Sequence, residues 1–258
     1  MFLHSTPNRA RDLRRVIGPM VEGFRLSRKK KGIKYYEIPC AFDIETSSFY
    51  EGPQKRACMY VWQFGIAGHV FMGRTWNEFR RFTDDLCDIL TLGVDLSLIV
   101  YVHNLAYEFQ FMRSFMYIDR LFATEPRKVV KCIANNFEYR CSYKLTNMGL
   151  DRFLKSLPPD KVPHQKQSGE DFDYSKLRTP RTELTPNELQ YIYNDVAGLH
   201  EGLEYQLESE NDNLATIPLT STGYVRRHLR DVVNTPENHE KFVEMALDRI
   251  LYGLLRDA

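Results

Sequence analysis

The stretch LSLIVYVHN, residues 96–104, limits the possible folds more than any other part of the chain. Its apolar run is continuous and of strand length, the pattern of a strand covered on both faces, since a half-exposed strand would alternate with period two. A further layer is needed on each side of the sheet that holds it. The chain can supply these layers: 258 residues with 43% hydrophobic content suffice for one large domain or two small ones with a substantial core. Directly after this strand come His103 and Asn104, and then LAYEFQF sets a carboxylate, Glu108, among aromatics on the first turn of a helix.

The segments around it are consistent with such layers. EIPCAFDIETSS (37–48) alternates weakly and ends in an acidic, hydroxyl-rich turn, as a central strand does when its last residues reach a site. ACMYVWQFGIAG and HVFMGRT follow as two more strands joined by a turn at Gly68, so the three form a meander. In WNEFRRFTDDLCDIL, Trp76, Phe79, Phe82, Leu86 and Leu90 fall near helical spacing and predict a surface helix with one apolar stripe. KVVKCIA and FEYRCSY read as a hairpin about Asn135 and Asn136, and MGLDRFLKSL as a short helix stopped by Pro158 and Pro159. Residues 158–186 read as loop. Thr185, Pro186 and Glu188 make a capping box with proline at the first helical position, which predicts a long helix through TPNELQYIYNDVAGLHEGLEYQLES. The closing HEKFVEMALDRILYGLLRDA reads as helical, and no internal repeat is visible. Strands and helices in this order describe an α/β protein, a mixed sheet with helices on its faces.

Charge and cysteine content narrow the function classes. Lys and Arg number 35 against 34 Asp and Glu, so net charge points to no partner, but the basic residues are front-loaded. From Arg9 to Lys34 lie Arg11, Arg14, Arg15, Arg25, Arg28 and Lys29 to Lys31, opposed only by Asp12 and Glu22. This block reads either as a solvated tail or as a contact for phosphates. Five cysteines without a C-x-x-C pair argue against a disulfide framework or a zinc ribbon and fit a reducing compartment. No segment approaches the ~20 apolar residues of a bilayer span, and the start lacks the apolar core of a signal peptide, so a cytoplasmic location and no membrane partner are expected.

The acids on apolar elements form a set. Asp43 and Glu45 are two apart on a strand and project from the same face, where they can share a cation. Glu108 opens the helix after the neighbouring strand, and Asp195 lies in the capped helix one turn after Tyr191. Four carboxylates from three segments suit Mg²⁺ or Mn²⁺, hard ions that take oxygen ligands, rather than zinc. Two such ions ~3.5–4 Å apart stabilise both oxygens of an in-line phosphoryl displacement. Taken singly, each acid has a plainer reading: turn formers for Asp43 and Glu45, a helix-dipole partner for Glu108, a solvated helix residue for Asp195.

FDIET (42–46), HNLAYEF (103–109) and YIYND (191–195) together resemble the three exonuclease motifs of family-B DNA polymerases, in particular the protein-primed branch of phages and linear plasmids. The resemblance covers about 150 residues in order and spacing. It implies a ribonuclease-H-like fold of the DnaQ type and a two-metal 3′-to-5′ exonuclease that removes misincorporated 3′-terminal nucleotides from single-stranded DNA. By the same resemblance Asp43, Glu45, Glu108 and Asp195 are metal ligands and Tyr191 orients the attacking water. Thr46, His103, Asn104, Tyr107, Phe111, Ser142 and Tyr174 are its DNA contacts. Lys166 lies near the place of a catalytic lysine ahead of a D-x-D-Y element, with Gly169 and Glu170 at the adjacent positions. Glu108 stands where the family motif most often has Asp, a departure of one methylene.

The resemblance divides the chain into a basic extension (1–34), an exonuclease domain (35–211) and a helical segment (212–258) leading toward a polymerase palm. The palm motifs themselves are not in this sequence, so a portion of a polymerase is expected, with a naturally separate exonuclease as the alternative. Its partners would be a single-stranded 3′ end, primer-template DNA, a polymerase domain and a terminal protein, in the host cytoplasm if phage-encoded. The rival readings are a catalytically silent DNA-binding or docking module with the same fold, and a free-standing exonuclease of the same superfamily, which trims RNA.

Overall fold

A computed structural model describes residues 7–28, 32–166, 173–236, 238–241 and 243–244. The chain divides into two compact units, residues 1–219 and 220–258. In the first, β4 (Cys40–Glu51), β5 (Gln54–Ile66) and β6 (His69–Gly73) form the expected antiparallel meander. The β5–β6 turn uses left-handed backbone at Ala67 and Gly68, φ 49° and 74°, which matches the twist of a tight hairpin. The apolar run becomes β7 (Leu96–Val102), parallel to β4 on one side and to β10 (Phe137–Cys141) on the other. Every residue of β7 after Leu96 is buried, as the continuous pattern requires.

β9 (Val129–Ala134) pairs with β10 through the expected hairpin, with Asn135 and Asn136 at φ 50° and 66°. An additional strand, β8 (Ile118–Ala123), forms the sheet edge beyond β9. The sequence gives little sign of it, because Asp119 and Arg120 break its apolar pattern and five of its six residues are exposed. At the opposite edge β1 (Asn8–Arg9) lies parallel to β6. The strand order is β1-β6-β5-β4-β7-β10-β9-β8, with β2 (Leu26–Arg28) and β3 (Lys34–Tyr36) paired beside the start of β7.

The basic N-terminal block is not a solvated tail over residues 8–28. After β1 and a 3₁₀ turn (Ala10–Asp12), α1 (Leu13–Ile17) buries Leu13 and Ile17, 1% and 0% exposed, in the main core. Spacing of four puts these two residues on one face, so a five-residue helix suffices to anchor the segment. Lys29 to Lys31 lie outside the described residues.

α2 (Trp76–Leu90) begins at a complete Thr75–Glu78 capping box and buries Phe79, Phe82, Leu86 and Leu90, the predicted stripe. α3 (Leu105–Met112) follows β7 directly. Ser142 and Tyr143, read as the end of a strand, instead open the short helix α4 (Ser142–Thr146), followed by α5 (Leu150–Lys155). α6 (Pro186–Ser209) starts at the predicted Thr185–Glu188 box and is buried on all sides from Tyr191 to Leu203. Glycines allow this depth: a Cβ on Gly198 would stand 2.2 Å from the His164 carbonyl oxygen, and one on Gly202 2.7 Å from the Phe153 ring. In the second unit, α7 (Ser221–Val233) starts at Thr220, whose hydroxyl accepts the Gly223 N–H. Residues 245–258 of the closing segment lie outside the described residues.

Candidate active site

Asp43 and Glu45 leave the same face of β4, opposite Gln63 and Val61 of β5. The β4–β5 register then slips by one: Thr46 pairs with Met59, and Tyr60 becomes the extra residue of a bulge. A bulge at this point bends and twists the strand just where its carboxylates project. The bulged residue's carbonyl oxygen is held by Arg74, whose Nε donates to it at 2.7 Å.

α6 crosses this face. The Gln63 amide donates to the Ile192 carbonyl at 3.3 Å, and one helical turn sets Tyr191 and Asp195 above β4. Carboxylate oxygens of Asp43, Glu45 and Asp195 all lie within 4.8 Å of one another. Glu108 joins them electrostatically from α3: it is 4% exposed, and burial first, then the charges of Asp43 and Glu45, hold its pKa well above the ordinary carboxylate range. Asn104 makes this approach possible. It takes the left-handed conformation, φ 72°, between β7 and α3, a turn that asparagine tolerates better than most residues.

Like charges packed this closely oppose ionisation. Asp43 is pushed up to about 7 by burial and then by Asp195, against the lowering effect of Lys166 and the Ile44 N–H. Glu45 and Asp195 are raised too, burial being the larger cause for each. The Asp195 Oδ1 and Glu108 Oε2 atoms are buried without a hydrogen-bond partner. Unpartnered buried carboxylate oxygens are costly in a protein alone and are the donors a hard cation takes. The acidic triad can bind metal.

The sequence-derived residues fall into groups around these acids. Lys166 donates from Nζ to Asp195 Oδ2, and its ammonium stands 5.1 Å from the Tyr191 ring centroid. The hydroxyls of Tyr174 and Tyr191 are 2.6 Å apart, and those of Thr46 and Tyr107 2.5 Å apart. Tyr174 is 62% and Tyr107 43% exposed, so both rings are available to a base. Phe111 is half-buried beside Tyr107, ring centroids 5.3 Å apart. His103 is held neutral: burial first, then the Lys166 charge, lowers its pKa to about 4.

Ser142 has no exposed surface, and its hydroxyl lies 3.1 Å from His103 Nδ1, where it positions that ring. The residue after it, Tyr143, was not singled out from sequence. Its ring is 40% exposed, meets His103 edge-on at 5.9 Å, and lines an open cleft of ≈ 570 Å³ with Asp43, Asn104, Lys166 and Asp195. An aromatic two residues past a strand end was the available sign.

Two arginines absent from the sequence reading fix the wall of the site. Arg178 is 2% exposed and donates from Nε and Nη2 to Glu188 at 2.8 and 2.6 Å, while its backbone N–H bonds the Ser47 hydroxyl. Arg74 donates from Nη2 to the carbonyls of Thr179 and Thr182. Between them they secure the segment that carries Tyr174.

No protein-family model and no curated protein sequence matches the chain. Among solved structures, phi29 DNA polymerase complexed with single-stranded DNA aligns with a TM-score of 0.58 at 15% identity, over 78% of this chain and 36% of the polymerase. Its complex with primer-template DNA and incoming nucleotides aligns with a TM-score of 0.56 at 16% identity, over 78% and 35%. The fold is the ribonuclease-H-like exonuclease fold. At this identity the likeness is one of fold, and this chain spans about a third of the polymerase's length. The Nibbler EXO domain of Aedes aegypti aligns with a TM-score of only 0.34 at 11% identity, over 67% of this chain and 81% of that domain. Among the described residues, no helix is long and apolar enough to cross a membrane.

Proposed function

We propose that the chain is a divalent-metal-dependent 3′-to-5′ exonuclease acting on single-stranded DNA, the proofreading portion of a protein-primed DNA polymerase. The convergence of Asp43, Glu45 and Asp195 within 4.8 Å, with Glu108 facing them from a third element, carries this reading. A fold shared with a polymerase that has been seen holding single-stranded DNA supports it. Asp43, Glu45 and Asp195 would hold Mg²⁺ or Mn²⁺, with Glu108 supporting a second ion; such ions supply an activated water and charge stabilisation for in-line displacement at phosphorus.

The chain's own groups do the rest. Tyr107 and Tyr143 offer exposed rings, that of Tyr143 in the lining of the cleft, and stacking on unpaired bases is worth ~1–3 kcal/mol each and tolerates any sequence. Thr46 holds the Tyr107 hydroxyl, and Asn104 faces the same cleft. Tyr191, bonded to Tyr174, presents its hydroxyl beside the carboxylates to orient the attacking water. In the reaction the water oxygen bonds to the terminal phosphorus, the P–O3′ bond breaks, and a nucleoside 5′-monophosphate leaves while the shortened strand keeps a 3′-hydroxyl.

A silent DNA-binding module is the second reading, favoured by the Lys166–Asp195 ion pair, which neutralises one acid of the cluster without metal. Incubation with 5′-labelled single-stranded DNA and Mn²⁺ separates them. A ladder of shortened products is expected, abolished in Asp43→Ala/Glu45→Ala while binding persists. Binding without any shortening by the parent protein would leave only the module.

A further inference from the structure

One end of the basic N-terminal block has no use in the site described above. Arg9 and Arg11 are exposed and line, with Arg74, a cavity of ≈ 470 Å³ that also includes Ala10, Met72, Gly73 and Glu78. Two other arginines of the block are ion-paired: Arg14 with Asp85 and Asp88, Arg15 with Asp12. Among the described residues, neither Arg9 nor Arg11 has an ion pair. Glu78 is the one acid lining the cavity, and its Oε2 atom already accepts the N–H groups of Arg74 and Thr75 and the Thr75 hydroxyl. Three arginines thus line a cavity that has a single carboxylate, three positive charges against one negative among the described residues.

The sheet register places this cavity relative to the carboxylates. Arg9 pairs with Met72, Met72 with Gln63 and Gln63 with Asp43, so Arg9 and Asp43 lie on one lateral row across four strands. Three strand spacings amount to ~14 Å. Gln63, in the middle of this row, is buried beneath α6, so a strand reaches from one place to the other around the helix, a path longer than ~14 Å and several nucleotides long.

We propose that Arg9, Arg11 and Arg74 form a second phosphate-binding subsite, which takes the sugar-phosphate backbone of a nucleic-acid strand several nucleotides from the carboxylates. The proposal rests on the exonuclease reading for the occupant, not for the site. Arg74 is the fixed floor, since its Nε and Nη2 atoms are tied to three carbonyl oxygens; Arg9 and Arg11 supply the exposed charges.

The test compares Arg9→Ala/Arg11→Ala with its parent, both in the Asp43→Ala/Glu45→Ala background so that no strand is shortened during measurement. Neither arginine side chain is buried, and circular dichroism checks that the fold is kept. Binding of a deoxythymidine dodecamer and of a dinucleotide is measured across a salt series. Loss of two phosphate contacts should make the slope of log K against log salt shallower by about 1.4 for the dodecamer, at about 0.7 per contact. The dinucleotide, too short to bridge both places, should bind both proteins alike. An unchanged dodecamer slope, or an equal loss for both ligands, overturns the proposal. Inorganic phosphate is the third probe: binding that disappears with the two arginines while the dodecamer is unaffected assigns the cavity to a free anion and also overturns it. Retained binding differences in a protein whose unmutated form cuts no DNA would sink the nuclease reading and leave this subsite standing.

Discussion

Glu108 is the residue where chemistry and stability conflict most plainly. Its carboxylate is almost fully buried, one oxygen is unpartnered, and the charges of Asp43 and Glu45 face it. A group whose folded pKa is raised stabilises the protein below its unfolded value, about 4.3, and loses that contribution as pH rises toward the folded value. At pH 7.5 in a chelator, Glu108→Gln should therefore raise the melting temperature, by about 2–4 °C for each kcal/mol of relieved strain. Cleavage with Mn²⁺ should fall at least tenfold. A variant that loses activity and stability together would show that Glu108 is a structural acid. The exchange is a familiar one: active sites hold groups that the fold alone would not choose. Its place on the helix after β7 is visible in the sequence, whereas nothing local to Ser142 shows that it is buried against His103. Local sequence does not show which way a side chain turns at the end of a strand.

At the scale of elements, the site depends on how closely α6 approaches its neighbours. Gly198 allows the helix to pass against the His164 carbonyl, two residues before Lys166, and a Cβ there would meet that oxygen at 2.2 Å and Leu154 Cδ1 at 2.7 Å. Gly198→Ala must push α6 and the 164–166 segment apart, which separates Asp195 from Lys166. Overpacking of this kind costs about 1–3 kcal/mol, so a drop of several degrees in melting temperature with a loss of cleavage is expected. Gly93→Ala, where an added Cβ meets nothing within 4 Å, is the control and should melt with the parent. The elements themselves were legible wherever a periodic pattern met a cap: α2 and α6 both start at the boxes written in their sequences. β8 was not, because an edge strand needs no apolar alternation when its outer faces are wet.

For the first unit as a whole, the acidic cluster should make stability depend on pH and metal together. Asp43, Glu45, Glu108 and Asp195 all have raised pKa values, that of Asp43 to about 7. Without metal, each favours the folded state below its unfolded pKa and ceases to do so as pH rises through its folded value. Thermal melts in chelator should therefore fall between about pH 4 and 7.5. Mn²⁺ should reverse the trend, since binding to the folded state alone adds about 2.7 kcal/mol at a hundredfold excess over Kd. Identical melts with and without Mn²⁺ at pH 7.5 would argue against any metal site among these carboxylates.

The sequence alone determined that β7 lies in the middle of a layered sheet, that α6 is a capped helix and that Asp43 and Glu45 share a face. Those properties follow from burial period and local hydrogen bonding within a few residues. The tertiary structure alone decided that Arg74 ties the β5 bulge to the segment carrying Tyr174, that the N-terminal block joins the sheet edge, and that Arg9 shares a row with Asp43. These pairings join residues far apart in the chain, and only the register of strands and the packing of helices brings them within reach.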